Sequence, residues 1–140
     1  MVGRPGILAV LAIALAIPFV GASPLGLDTH VVTREVPGQG FQFVPADLVV
    51  DVAGSLTLTN LDLAAHDVVA IADGPEDNPW CARFVSRDCP LFASPIVGMA
   101  SQGQVEGLDA LPASDPLGET VVYAYYCSIH PWMTGTITTI

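Results

Sequence analysis

Near its C-terminus the chain reads Tyr125-Tyr126-Cys127-Ser128-Ile129-His130-Pro131-Trp132-Met133-Thr134-Gly135, a thiol, an imidazole and a thioether each separated by two residues. Thiolate and thioether are soft donors that select copper(I), imidazole suits both copper oxidation states, and two histidines with a cysteine and a weak axial methionine form the ligand set of electron-transfer copper sites. The loop supplies three of those four donors, so a second histidine must come from elsewhere. The chain has three histidines, His30, His66 and His130. His66 follows the alternating run Ser55-Leu56-Thr57-Leu58-Thr59-Asn60-Leu61 and therefore sits just past a half-buried strand, where a rigid scaffold positions side chains. Taken alone it reads as an ordinary surface histidine; taken with the Cys-x-x-His-x-x-Met loop it becomes the missing ligand. His30 precedes the first expected strand and receives no role.

The cysteines support this division of labour. Cys81 and Cys89 flank a short segment, and in an oxidising compartment a disulfide between them is the expected state. Closing so small a loop stabilises by about 2.5 kcal/mol in the chain-entropy model, which points to local ordering. Cys127 is left over. Coordination as a thiolate accounts for a free thiol in an exported protein, against the alternative of a buried, inert one.

These residues need a frame, and the rest of the chain supplies short strands divided by turn residues. Strands are expected over 29–36, 40–43, 48–52, 55–61, 67–71, 102–106, 120–127 and 135–140, a spacing that indicates a β-sandwich. By the two-residue repeat, Val121, Tyr123, Tyr125 and Cys127 share one face, and Val122, Ala124 and Tyr126 the other. An inward Cys127 thus requires an outward Tyr126. The long interval between His66 and Cys127 implies an insertion over 73–101, broken by Pro75, Pro79, Pro90 and Pro95, with Trp80, Phe84 and Phe92 to bury. It is expected to pack as a flap, or else to offer a docking surface; Arg83-Phe84-Val85 is expected to form a helical turn within it. A second loop, 107–118, reads as a solvated connection.

From Gly40 to Ile140 the chain resembles the cupredoxins, the small blue copper proteins. The resemblance rests on Phe43-x-Pro45, Val50-x-Val52-x-Gly54, Leu58-x-Asn60 and His66, and on the C-terminal loop. Cys127-x-x-His130-x-x-Met133 with Pro131 is similar to the amicyanin loop, and Tyr125-Tyr126-Cys127-Ser128 to plastocyanins. It implies an all-β, Greek-key sandwich of about eight strands, with a disulfide-bearing insertion between the first histidine ligand and the cysteine ligand. It also implies one type 1 copper ion on His66, Cys127, His130 and Met133, with Asn60, Asp67 and Ser128 supporting the ligands. Position 67 departs from the family, which usually carries asparagine beside its first histidine. The resemblance further implies that the outer edge of His130, set among Ile129, Pro131 and Trp132, is an electron port; Tyr126 marks a more remote second route. Trp132 is expected at the surface, with core filling as the alternative.

The N-terminus carries one positive charge in Met1-Val2-Gly3-Arg4, an apolar run from Gly6 to Val20 and small residues at Gly21-Ala22-Ser23, the pattern of a signal peptide over 1–23. The run is shorter than the roughly 20 residues that span a bilayer and is interrupted by Pro18, so a cleaved leader is favoured over a retained anchor. The remaining chain, 24–140, is enough for one sandwich-sized domain, a monomer in the periplasm or outside the cell. Fourteen acids stand against four arginines, and losing Arg4 with the leader takes the formal charge from −10 to −11. That balance excludes nucleic acid as a partner. The scattered acids suit steering of a basic redox protein or solubility in a salty medium equally well. Three histidines cannot furnish a multicopper oxidase or a nitrite-reducing centre, so an electron carrier rather than an enzyme is expected. Two further readings are a copper carrier or scavenger without redox turnover and a metal-free structural β-sandwich.

Overall fold

The structure is a computed structural model that describes residues 26–85 and 87–140; the expected leader, 1–23, lies outside the described residues. Eight strands run in chain order as β1 (Asp28–Val36), β2 (Gly40–Val44), β3 (Asp47–Val50), β4 (Ser55–Asn60), β5 (Val69–Ala70), β6 (Gln102–Gln104), β7 (Val122–Tyr126) and β8 (Thr134–Thr139). They form two four-stranded sheets, β2-β1-β4-β6 and β3-β8-β7-β5. Both are mixed: β1 pairs parallel with β4, and β3 parallel with β8, while the remaining pairs are antiparallel. Neighbours distant in sequence, reached by repeated crossings between sheets, give the expected Greek-key sandwich.

The alternating pattern of the sequence decides which face each strand buries. In β3, Leu48 and Val50 point inward while Asp47 and Val49 are exposed. In β7, Tyr125 is buried between exposed Ala124 and half-buried Tyr126, and Cys127 is buried beyond it, as the two-residue repeat predicts. Val31, Leu56, Leu58, Val68, Phe92, Tyr125 and Ile137 meet in one core that also includes Cys127 and Met133. Each fully buried aliphatic side chain there contributes about 1.5–3 kcal/mol of transfer free energy. Gly135 lies opposite Tyr125 in the β7–β8 pairing, and any Cβ there would collide with the tyrosine ring and the Ala46 carbonyl. The glycine lets Tyr125 lie across β8 and donate its hydroxyl to the Ala46 carbonyl at 2.8 Å.

Three expectations need correction. The strand expected over 67–71 is regular only at Val69–Ala70. The insertion lies beside it through scattered bonds, Ala70 N–H to the Phe92 carbonyl and Ser94 N–H to the Val68 carbonyl, because Pro90 and Pro95 cannot donate to a continuous ladder. The helical turn in the insertion is a 3₁₀ turn at Cys81–Arg83, two residues earlier than expected. The loop 107–118 is not simply a solvated connection: Leu108 and Leu111 are buried in the core, and Thr139 Oγ1 donates to the Pro112 carbonyl.

The insertion packs as a flap. Phe92 enters the main core, and Trp80, Cys89 and Ala93 form a small second cluster joined by Cys81 and Phe84. Trp80 Nε1 donates to the Pro90 carbonyl at 2.8 Å, and Cys81 and Cys89 are disulfide-bonded, as expected. Among the described residues no helix is long and apolar enough to cross a membrane.

Candidate metal centre

His66 is delivered by the segment that leaves β4. Asn60, at the strand's last position, is fully buried and uses all of its amide. Its Nδ2 donates to the carbonyls of Ala64 at 2.6 Å and Val97 at 3.0 Å. Its Oδ1 accepts from Thr33 Oγ1 and the Asp62 N–H, each at 2.9 Å. Asn60 therefore holds the loop that leads to His66 and does not bond the His66 ring itself. His66 then exchanges two backbone bonds with Val97, His66 N–H to Val97 O at 3.1 Å and the reverse at 2.7 Å. The flap thus fixes the backbone of this histidine.

Cys127 follows β7 at the start of a tight turn. Its N–H donates to the Met133 carbonyl at 3.0 Å, and Met133 N–H donates to the His130 carbonyl at 2.8 Å. The turn is closed on itself, with Met133 buried beneath it. One carboxylate ties the His66 and Cys127 segments together. Asp67, 1% exposed, accepts from Ser128 N–H at 2.7 Å through Oδ1 and from Ser128 Oγ at 2.6 Å through Oδ2.

Within this frame Cys127 Sγ lies 3.8 Å from His66 Nδ1 and 3.8 Å from His130 Nδ1, and the two nitrogens are 3.2 Å apart. These three form the one group of metal-capable histidine, cysteine and acidic side chains found among the described residues. The rings of His66 and His130 are 4.7 Å apart, and Phe41 of β2 packs against both, at 5.2 Å and 4.8 Å between centroids. Trp132 lies edge-on to His130 at 5.3 Å and is 66% exposed, as the first of the two sequence readings has it.

The electrostatics distinguish the donors. Burial raises the Cys127 thiol pKa, opposed in part by the backbone N–H groups of Asp67, His130 and Ile129, while the Asp67 carboxylate adds to the rise. Burial lowers the His130 pKa, and the neighbouring His66 ring lowers it further. His66 Nε2 contacts both oxygens of Asp62 at 2.8 Å. In the Nε2–H tautomer, which a facing carboxylate favours, Nδ1 presents its lone pair to Cys127 and His130.

The donor set fits a soft or borderline metal ion. The point equidistant from the three donor atoms lies about 2.1 Å from each, given sides of 3.8, 3.8 and 3.2 Å. Imidazole nitrogen and thiolate sulfur bind first-row metals at about 2.0–2.3 Å. Two imidazoles and a thiolate around one point are the equatorial donors of a trigonal copper site.

The fold is that of the cupredoxins. No protein-family model matches the chain, and no curated protein matches it in sequence. Among solved structures it is similar to a proline-to-glycine variant of amicyanin in its reduced copper(I) form at pH 4, with 18% identity, a TM-score of 0.51, and coverage of 81% of this chain and 82% of that one. A purple cupredoxin from Nitrosopumilus maritimus is similar at 25% identity and a TM-score of 0.51, over 81% of this chain and all of the other. The His66–Cys127–His130 group is consistent with that fold.

Tyr126 points outward as expected, but its hydroxyl is engaged by Arg87 Nη1 at 2.7 Å. Arg87 also donates to the Ala70 and Ile71 carbonyls and to Asp73, so the flap clasps the sheet edge beside this tyrosine. Two residues escaped the sequence reading. Asp62 carries one available signal, an acid four residues before a candidate ligand. Phe41 shares the alternation of Phe43 and looks like ordinary core.

Proposed function

We propose that this chain is an exported type 1 copper protein that carries single electrons between redox proteins, holding one ion through His66, Cys127, His130 and Met133. The observation that carries this reading is the convergence of one thiol and two imidazole nitrogens to within 4.8 Å of one another inside a cupredoxin fold. Met133 would supply the fourth, weaker donor, because it is buried at the end of the Cys127–His130 turn and its thioether is a soft ligand.

A bound copper ion supplies a one-electron couple, and the chain's part is to hold its donors still. Asp67 fastens the Cys127 turn to the His66 segment, Val97 pins the His66 backbone, and Phe41 packs on both rings. Donors that scarcely move between oxidation states keep the reorganisation energy low. The four ligands leave no position for substrate, which argues for a carrier rather than an enzyme. Half-buried His130, with exposed Ile129, Pro131 and Trp132 around it, supplies the port. The Cys81–Cys89 disulfide suits an oxidising compartment, the periplasm or beyond, and the acid excess suits a basic partner. The segment 1–23 is assigned as a cleaved leader and the mature protein as a monomer.

Copper reconstitution of the chain from residue 24 tests this reading. One equivalent of copper should produce an intense thiolate-to-copper band with a narrow parallel hyperfine splitting in paramagnetic resonance, and a reversible midpoint potential. Cys127→Ser should abolish the band. Stoichiometric binding without reversible voltammetry would favour a copper carrier, and no uptake would leave a structural sandwich.

A further inference from the structure

We propose that Asp62 is a positioning residue for this centre, one that fixes the tautomer of His66 and places a sheltered negative charge behind it, biasing the site toward copper(II). The inference rests on the copper reading above.

The geometry is specific. His66 Nε2 sits 2.8 Å from both Asp62 oxygens, so the carboxylate faces the ring nitrogen with its whole edge. The side chains are 0% and 8% exposed. Asp62 is itself held from two directions: its N–H donates to Asn60 Oδ1 at 2.9 Å, and its Oδ1 accepts from the Ala64 N–H at 2.9 Å. Asn60 is in turn locked by Thr33, Ala64 and Val97. The hold therefore runs unbroken from β1 through β4 and the loop to the imidazole.

Among the described residues no arginine forms an ion pair with this carboxylate. Arg34 and Glu35 border the cleft beside Asp62, yet among the described residues the sole ion-pair partner of Asp62 is His66. A carboxylate behind a metal-bound imidazole orients the ring and raises its basicity. In a site screened from water it also favours the more positively charged oxidation state. An uncharged acceptor would satisfy the hydrogen bond equally well, so the ionic effect is separable from the structural one.

Asp62→Asn and Asp62→Ala separate them, each examined with and without copper. Asparagine keeps an acceptor for both the His66 ring and the Ala64 N–H. Its copper protein should remain coloured, while the ratio of copper(II) to copper(I) affinity, measured by chelator competition, falls about tenfold. On the one-electron scale that is a rise of about 59 mV in midpoint potential. Alanine removes the acceptor: ¹⁵N chemical shifts of the metal-free protein should show His66 leaving the Nε2–H tautomer, and copper affinity should drop roughly 10- to 100-fold. An unchanged affinity ratio in Asp62→Asn overturns the charge effect, and an unchanged His66 tautomer in Asp62→Ala overturns the positioning. If Asp62→Ala does not fold, a parent protein whose His66 is not the Nε2–H tautomer overturns the positioning instead. A parent that takes up no copper but shows the tautomer shift between parent and Asp62→Ala sinks the copper reading and supports the hold on His66.

Discussion

Asp67 and Met133 mark the two ends of a ranking among the residues around the centre. Asp67 uses both oxygens to fasten Ser128, so it controls where the Cys127 turn sits; Met133 lies buried beneath that turn as the weak axial candidate. Met133→Leu should therefore retain copper with a raised potential, whereas His66→Ala, which removes an equatorial donor, should lose most of its copper affinity in chelator titrations. Equal losses in both would contradict the ranking. The direction of the pKa shifts sets a pH dependence. Cys127 is raised above its ordinary value and is protonated at neutral pH, so copper must displace one proton. His130 is lowered and already neutral there. Apparent log affinity should rise by about one per pH unit around neutrality, and His130 should add a second proton only below about pH 6.5. Competition titrations across pH 5–8 measure that slope. At this scale the sequence was informative because soft donors are scarce and closely spaced. Asp62 and Phe41 were not legible, since an acid in a polar loop and an aromatic in an alternating strand each have commoner explanations.

Among the elements, the β7–β8 ladder carries a buried titratable group in Tyr125. Its pKa is raised strongly by burial, and further by the Asp47 carboxylate. The unfolded chain ionises this phenol near about pH 10, whereas the folded one keeps its proton. The native state then binds more protons, so stability is full below pH 10 and declines above it by about 1.4 kcal/mol per pH unit. Urea midpoints between pH 9 and 11.5 should show that decline in the parent and a flatter one in Tyr125→Phe. Strands such as β1, β3 and β7 could be read from alternation, because one face of each is buried and the other is not. The errors fell where proline-rich chain replaces a ladder. Leu108 and Leu111 anchor a loop whose glycines, prolines and acids gave it a solvated appearance, and two apolar residues three positions apart are too few to reveal a periodicity.

For the whole molecule, charge and exposed apolar surface suggest separate experiments. A long-range field from the acids should speed association with a basic redox protein and be screened as ionic strength rises past about 0.1 M, where the Debye length is about 10 Å. Contact through the proposed port at His130 would instead be short-range. Trp132→Glu should slow electron exchange at every salt concentration while leaving the visible spectrum unchanged, as stopped-flow mixing with a series of donors would reveal. An unchanged rate would place the port elsewhere. Composition made the acidity legible at once, but which surface meets a partner depends on how the loops converge, and that is a property of the folded sandwich.

The parallel pairing of β3 with β8 joins Asp47 to Thr136 across most of the described chain, and such distant partners meet late in folding. If the chain is exported as proposed, Cys127, placed beside β8, therefore spends the early part of maturation as an unprotected thiol under oxidising conditions. The flap offers kinetic protection. Cys81 and Cys89, eight residues apart, should find each other about tenfold more often than either finds the far more distant Cys127, by the length dependence of loop closure. Oxidative refolding from the reduced, unfolded chain should accordingly trap Cys127 in a non-native disulfide, with either flap cysteine, in only about one molecule in seven, by the same dependence. Peptide mapping of the quenched products would read that fraction. Separating the flap cysteines with an inserted flexible spacer should raise it.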